Sequence, residues 1–152
     1  MSQVVGLSVR TTKGCPHLRG VVIDVDRPGE VARKFEHKAS ASDASEDQLH
    51  ALGTALNSQL KAHDVVAVVI REAGYSRMSA KAHASMKKRL RGEGVALSQA
   101  RRRTENVIVS DINALAKLCE MSSKDLEAAA ESMCGGDWRE ATSSALAAQR
   151  IV

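Results

Sequence analysis

Two carboxylates three residues apart, Asp137 and Glu140, stand in the stretch GGDWREATSSALAA near the end of the 152-residue chain. Positions i and i+3 of a helix share a face, so the pair can address one divalent cation. Carboxylate oxygens are hard ligands that suit Mg²⁺ or Mn²⁺, with water completing the coordination. The same two residues have a simpler use. Asp137 follows Gly135-Gly136 and precedes a helical run, which is where an N-cap belongs. Glu140 then completes a capping-box arrangement, and both acids suit the positive end of the helix dipole. A metal site and a helix cap are both consistent with this spacing, and the two are compatible.

Other groups are more isolated. Glu72 follows the apolar run VVAVVIR, and Asp24 ends the run VVID. Lysines and arginines cluster twice, as Lys87, Lys88, Arg89 and Arg91 in KKRLRGEG and as Arg101, Arg102 and Arg103 in ARRRTEN. Such runs are either solvated faces or a surface for a phosphate backbone. The five histidines are scattered, and Cys15, Cys119 and Cys134 show neither a CxxC spacing nor histidine partners in zinc-site order. There is no G-x-S-x-G elbow, P-loop or GxGxxG.

The elements that must position these residues follow from apolar periodicity. QVVGLSVRT (3–11) is rich in β-branched residues and ends at KGCPH, where Gly14 and Pro16 break it. RGVVIDVDRPGEVARKFEHK reads as a hairpin, with Pro28 and Gly29 placed as a tight turn requires. Ser45, with Gln48 three residues on, marks a helix start, and Leu49, Leu52, Leu56 and Leu60 recur at helical spacing. VVAVVIREAG is a continuous β-branched run, which is the pattern of a strand buried on both faces. A second helix is expected over about 79–91, stopped by Gly92-Glu93-Gly94, with a strand VALSQ (95–99) after it. Three more helical stretches complete the chain, with Ser110 and Ser122 as candidate caps. The two basic runs would then flank one strand and share one surface.

The order β-β-β-α-β-α-β-helices, together with VVGLSVRTTKG, VVAVVIREAG and GGDWREATSSALAA, resembles the ribonuclease H-like superfamily, and within it the RuvC-like resolvase branch. The resemblance implies a mixed five-stranded α/β sheet, three antiparallel strands and then two parallel ones, flanked by helices over residues 1–152 as a single domain. It also implies four carboxylates that converge at the ends of the central strands and hold two divalent ions against a phosphodiester. This sequence departs from that set. Where the first strand should bear Asp it has Ser8, and where the second motif strand should bear Glu it has Arg71, with Glu72 one position late. A shift of one residue reverses the face a strand side chain occupies. The closing carboxylate pair, Asp137 and Glu140, is kept in kind.

A formal net charge of +4 and an isoelectric point near 9.1 permit a polyanionic partner without demanding one. Aromatic residues make up 2% of the chain, which argues against a stacking platform for single strands. The start MSQVVGLSVR has no signal-peptide pattern and no run is long enough to span a bilayer, so a cytoplasmic protein without a membrane partner is expected. The leading expectation is a RuvC-like protein with a degenerate metal centre that binds nucleic acid or a protein partner, the two basic runs forming the nucleic-acid surface. The alternatives are an active Mg²⁺- or Mn²⁺-dependent nuclease using Glu72, Asp137 and Glu140, with Asp24 as a further candidate, and a homo-oligomeric structural protein.

Overall fold

Strands β1 (Ser2–Thr12) and β2 (Cys15–Asp24) are joined by a two-residue turn in which Lys13 and Gly14 both take positive φ, 51° and 77°. That geometry matches the twist of the strands it connects. Strand β3 (Val31–Lys38) follows a turn in which Glu30 N–H donates to the Arg27 carbonyl across 3.2 Å, and Gly29 supplies the left-handed φ of 79°. The computed structural model describes residues 1–74 and 79–152. Helix α1 (Ser45–Lys61) leads to β4 (Asp64–Arg71), helix α2 (Ala80–Arg101) to β5 (Val107–Ser110), and the chain closes with α3 (Ile112–Leu118), α4 (Ser123–Cys134), a 3₁₀ turn (Gly136–Trp138) and α5 (Arg139–Ala148).

The five strands form one sheet in the order β3-β2-β1-β4-β5. β1/β2 and β2/β3 are antiparallel, whereas β1/β4 and β4/β5 are parallel. Alternation along β1 sorts the two faces. Val5, Leu7 and Val9 pack with Leu52, Leu56 and Leu60 of α1 and with Ala96 and Ala100 of α2. Val4 joins Leu115, Leu126, Ala141 and Ala145 of the C-terminal helices on the other face. Each fully buried leucine contributes about 2 kcal/mol by leaving water. Gly6 lies on that second face, where a Cβ would sit 2.1 Å from Ala145 N and 2.2 Å from the Ala141 carbonyl oxygen. The absence of a side chain there is what lets α5 lie against the central strand.

Several local expectations are corrected. VALSQ is helical rather than a strand, and the fifth strand is Val107–Ser110. Gly92 does not end the helix. It is where α2 crosses β1, since a Cβ at Gly92 would meet Val9 Cγ1 at 2.5 Å. Ala96 and Ala100 continue the same buried stripe at i+4 and i+8. The cap of α3 is Asp111, which accepts from Ala114 N–H across 2.9 Å, and Ser110 is the last residue of β5. Ser122 caps α4 as expected, by accepting from Asp125 N–H. Helix α1 has no side-chain cap, because Ala44 holds the N-cap position and Ser45 is already the first helical residue, while the Gln48 amide donates to the Ser40 carbonyl instead of reaching back to the cap. Among the described residues no helix is long and apolar enough to cross a membrane.

Candidate functional site

The ends of β1 and β4 lie side by side in the sheet. Leu7 pairs with Ile70 in the parallel ladder, so Ser8 and Arg71 follow next to each other. Both fall on the face covered by α5, since Ser8 alternates with Gly6 and Arg71 with the buried Val69 of that face. Ser8 is buried. The Arg71 guanidinium donates to Ser143 Oγ of α5 at 3.2 Å and to Glu127 Oε1 of α4 at 3.3 Å. A cation therefore holds the strand end against the two helices that cover it.

Glu140, in the first turn of α5, is gripped from both sides. Arg89 Nη2 of α2 donates to its Oε1 across 2.7 Å, and Arg10 Nε of β1 stands 3.4 Å from its Oε2. Arg89 Nε also donates to Glu93 Oε1 across 3.1 Å, one helical turn along α2, and that same oxygen accepts from Ala73 N–H just past β4. Burial pushes the Glu140 carboxyl up, but the Arg89, Arg10 and Arg71 charges outweigh it and hold the group below the ordinary carboxylate range. For Glu93 burial wins over the Arg89 contact, and its carboxyl is raised. Burial would lower the Arg89 guanidinium, yet its two carboxylate partners raise it.

Arg10, Arg71, Arg89 and Glu140 line an open pocket of about 730 Å³, and Glu72 and Lys81 are the other charged residues of its described lining. Among the described residues, four cations against two carboxylates leave a net charge of +2 on its lining. The pocket lies at the carboxyl ends of parallel strands, which is where open α/β sheets take their ligands.

The sequence candidates are dispersed. Glu140 and Glu72 reach the pocket, and Asp137 does not. Asp137 is exposed in the 3₁₀ turn, and the contact made at that residue is its backbone carbonyl accepting from Arg19 Nη1 at 2.8 Å. It does not cap α5 either, because Trp138 takes the N-cap position and no side-chain cap bond forms. Asp24 lies at the opposite end of the sheet, accepting from Gln3 Nε2 across 2.7 Å. The basic runs sit in the middle of α2 and at its C-terminal end rather than around one strand. At 1.5 Å per residue, Lys87 and Arg101 are roughly 20 Å apart. Arg89 belongs to the pocket wall, Lys88 donates to the Gly14 carbonyl, Arg101 to the Glu105 carbonyl and Arg103 to Asn57 Oδ1. Lys87 and Arg102 are exposed, and Arg91 faces a narrow groove with Pro16 and Ser45.

Beside Ser8, residues that sequence reading passed over form a row across the sheet on the α5 side. Ser8 pairs with Arg19 and Arg19 with Glu36, while Arg10 pairs with His17. Arg19 and Lys34 both stand over the Trp138 ring, at 5.6 and 4.9 Å from its centroid. Buried His17 links Glu36 Oε2 at 2.9 Å to Thr12 Oγ1 at 3.2 Å, a cross-strand tie. The alternation of Ser8-Arg10, His17-Arg19 and Lys34-Glu36-Lys38 was the available signal for this face.

The residues present do not suit a carboxylate-held metal centre. Among the described residues no group of three or more His, Cys, Asp or Glu side chains is placed to hold an ion. Both Glu140 oxygens already face guanidinium groups, and Arg71 adds a fixed positive charge beside them.

No protein-family model matches the chain, and no curated protein sequence does. Solved structures do. The Thermus thermophilus RuvC structure superposes with a TM-score of 0.67 at 16% identity, over 98% of this chain and 92% of that one. T. thermophilus RuvC in complex with a Holliday junction substrate gives a TM-score of 0.67 at 14% identity, over 97% and 92%. The chain thus has the RuvC-like, ribonuclease H-like fold, with the mixed five-stranded sheet that fold requires.

Proposed function

We propose that this chain is a nucleic-acid-binding domain of RuvC-like fold in which a guanidinium–carboxylate network stands in place of a divalent-metal centre, so that it binds without cleaving. The observation that carries the reading is Arg71, fixed by Ser143 and Glu127 at the end of β4 beside buried Ser8. Two unit charges ~4 Å apart interact by about 4 kcal/mol at an effective dielectric near 20, and a dication doubles that. A pocket lining of net +2 therefore repels Mg²⁺ and attracts a phosphate backbone. T. thermophilus RuvC, of the same fold, is known in complex with a Holliday junction substrate, which supports a nucleic acid as the ligand class.

The test is a calorimetric titration of Mg²⁺ and Mn²⁺ into the purified protein, alongside fluorescence anisotropy of labelled duplex and branched DNA in EDTA. A flat metal titration with oligonucleotide binding that survives EDTA is expected. Metal binding that Glu140→Gln removes, accompanied by strand cleavage, would instead assign Glu72 and Glu140 to an active nuclease.

A further inference from the structure

We infer that the pocket between β1, β4, α2 and α5 is a metal-independent phosphate site in which Arg10 and Arg71 are the ligands and Glu140 is a resident competitor for Arg10. The inference rests on the reading above, that this pocket takes an anion rather than a cation.

The guanidinium groups differ in how far they are committed. Arg89 sets Nε and Nη2 against two carboxylates, Glu93 and Glu140, which compensate its charge, so it acts as a fixed post. Arg71, 11% exposed, meets one carboxylate and one neutral hydroxyl among the described residues, and it lines the pocket with three of its five N–H donors uncommitted there. Arg10 is 50% exposed and meets Glu140 through a single contact at 3.4 Å. Its Nη groups make no hydrogen bond among the described residues. A planar guanidinium of that kind matches two phosphate oxygens at once.

Two further features favour an anion. Ser79 caps α2, and Ser79, Lys81 and Ala82 line the pocket, so the positive end of a 22-residue helix faces it. The volume of about 730 Å³ lies in the range for ligands far larger than a bare phosphate, so there is room for the nucleotide that carries the group.

Glu140 gives the site its tuning. Its carboxylate meets Arg89 at 2.7 Å and Arg10 at 3.4 Å, so a phosphate that takes Arg10 displaces the weaker contact and leaves the stronger one in place. Neutralising Glu140 therefore frees Arg10 and raises the positive charge of the lining. A metal-dependent site predicts the opposite effect for the same substitution.

The experiment is calorimetry with inorganic phosphate, and anisotropy with oligonucleotides bearing a 5′-phosphate or a 5′-hydroxyl, all in EDTA. The proteins are the natural chain, Arg10→Gln, Arg10→Lys and Glu140→Gln, with thermal melts to verify folding. Phosphate affinity is expected to fall about tenfold in Arg10→Gln, to recover partly in Arg10→Lys, and to rise severalfold in Glu140→Gln. Should Glu140→Gln melt early, Arg10→Gln against Arg10→Lys still decides the matter, because a merely structural Arg10 leaves phosphate affinity unmoved. Preference for the 5′-phosphorylated strand assigns the site to a terminal monoester, and equal binding with competition by inorganic phosphate assigns it to internal diesters. Oligonucleotide binding that neither phosphate nor Arg10→Gln weakens overturns this inference and leaves the broader reading intact. Phosphate binding without oligonucleotide binding does the reverse.

Discussion

Arg89 and Glu140 meet across 2.7 Å between α2 and α5, two helices on opposite faces of the sheet. The bond passes around the end of the sheet beside Arg10, and it links the two hydrophobic clusters through one ion pair. Its partner Glu93 is 5% exposed and meets no other cation among the described residues. Removing Arg89 would leave Glu93 largely out of water without its cation, and Glu140 with only the longer Arg10 contact.

Arg89→Ala is therefore expected to destabilise the fold by about 3 kcal/mol, the scale seen when one member of a buried pair is lost. Replacing Arg89, Glu93 and Glu140 together by apolar residues of similar volume should recover most of that loss, because the desolvation penalty goes with the charges. Urea unfolding of the single and triple variants measures both. A triple variant no more stable than Arg89→Ala would mean that the network stabilises through its geometry and not through mutual compensation.

Gly6 and Gly94 give a contrasting pair. Gly6→Ala would place a Cβ 2.1 Å from the Ala145 backbone nitrogen, and a helix backbone cannot yield as a side chain can. A loss of about 3 kcal/mol or outright failure to fold is expected, with α5 lifted from β1. Gly94→Ala meets nothing within 4 Å inside a helix and should gain about 0.5–1 kcal/mol. Melting temperatures moving in opposite directions would bear out the packing of α5 on β1.

What the sequence made legible was local. The turn at Pro28-Gly29, the buried strand β4 and the Ser122 cap depend on neighbours in the chain, and they appear where expected. Gly92 was misleading because its reason is distant, the close passage of α2 over Val9 on β1. Asp137 was misleading for a similar reason. Trp138, bracketed by Arg19 and Lys34 from β2 and β3, stands at the start of α5 and takes the cap position. The pairing of Arg10 and Arg89 on one carboxylate requires α2 to end its crossing of β1 near α5, which no periodicity in the sequence encodes. The departures at Ser8 and Arg71, by contrast, were visible by comparison with the motifs, and the structure sets the two side by side.

Restoring carboxylates at those two positions should change the ligand. Arg71→Glu takes the charge of the described pocket lining from +2 to 0, Ser8→Asp adds one negative charge beside it, and Glu72 and Glu140 remain within the same pocket. The double variant is expected to acquire Mg²⁺ and Mn²⁺ binding that the natural chain lacks and to lose oligonucleotide affinity measured in EDTA. Calorimetry with each ion checks the first expectation and anisotropy the second. Tight binding of either ion by the unsubstituted chain would remove the basis for a metal-free site.

Stability against pH should carry the signature of two glutamates displaced in opposite directions. Glu140 is held below its ordinary value near about 4.3, so the unfolded chain binds more protons there between the two values. Its contribution is present above the ordinary value and is lost as pH falls through the folded one. Glu93 is raised, so the folded chain holds the extra proton. Its contribution is complete below the ordinary value and is lost as pH rises through the folded one. Glu140→Gln should therefore flatten the acid limb of a stability-against-pH curve, and Glu93→Gln should flatten the decline above it, each relative to the natural chain. Urea midpoints collected from acid to neutral pH separate the two effects. Parallel curves for all three proteins would show that neither carboxyl changes its proton affinity on folding, and the Arg89 network would then lose its electrostatic basis.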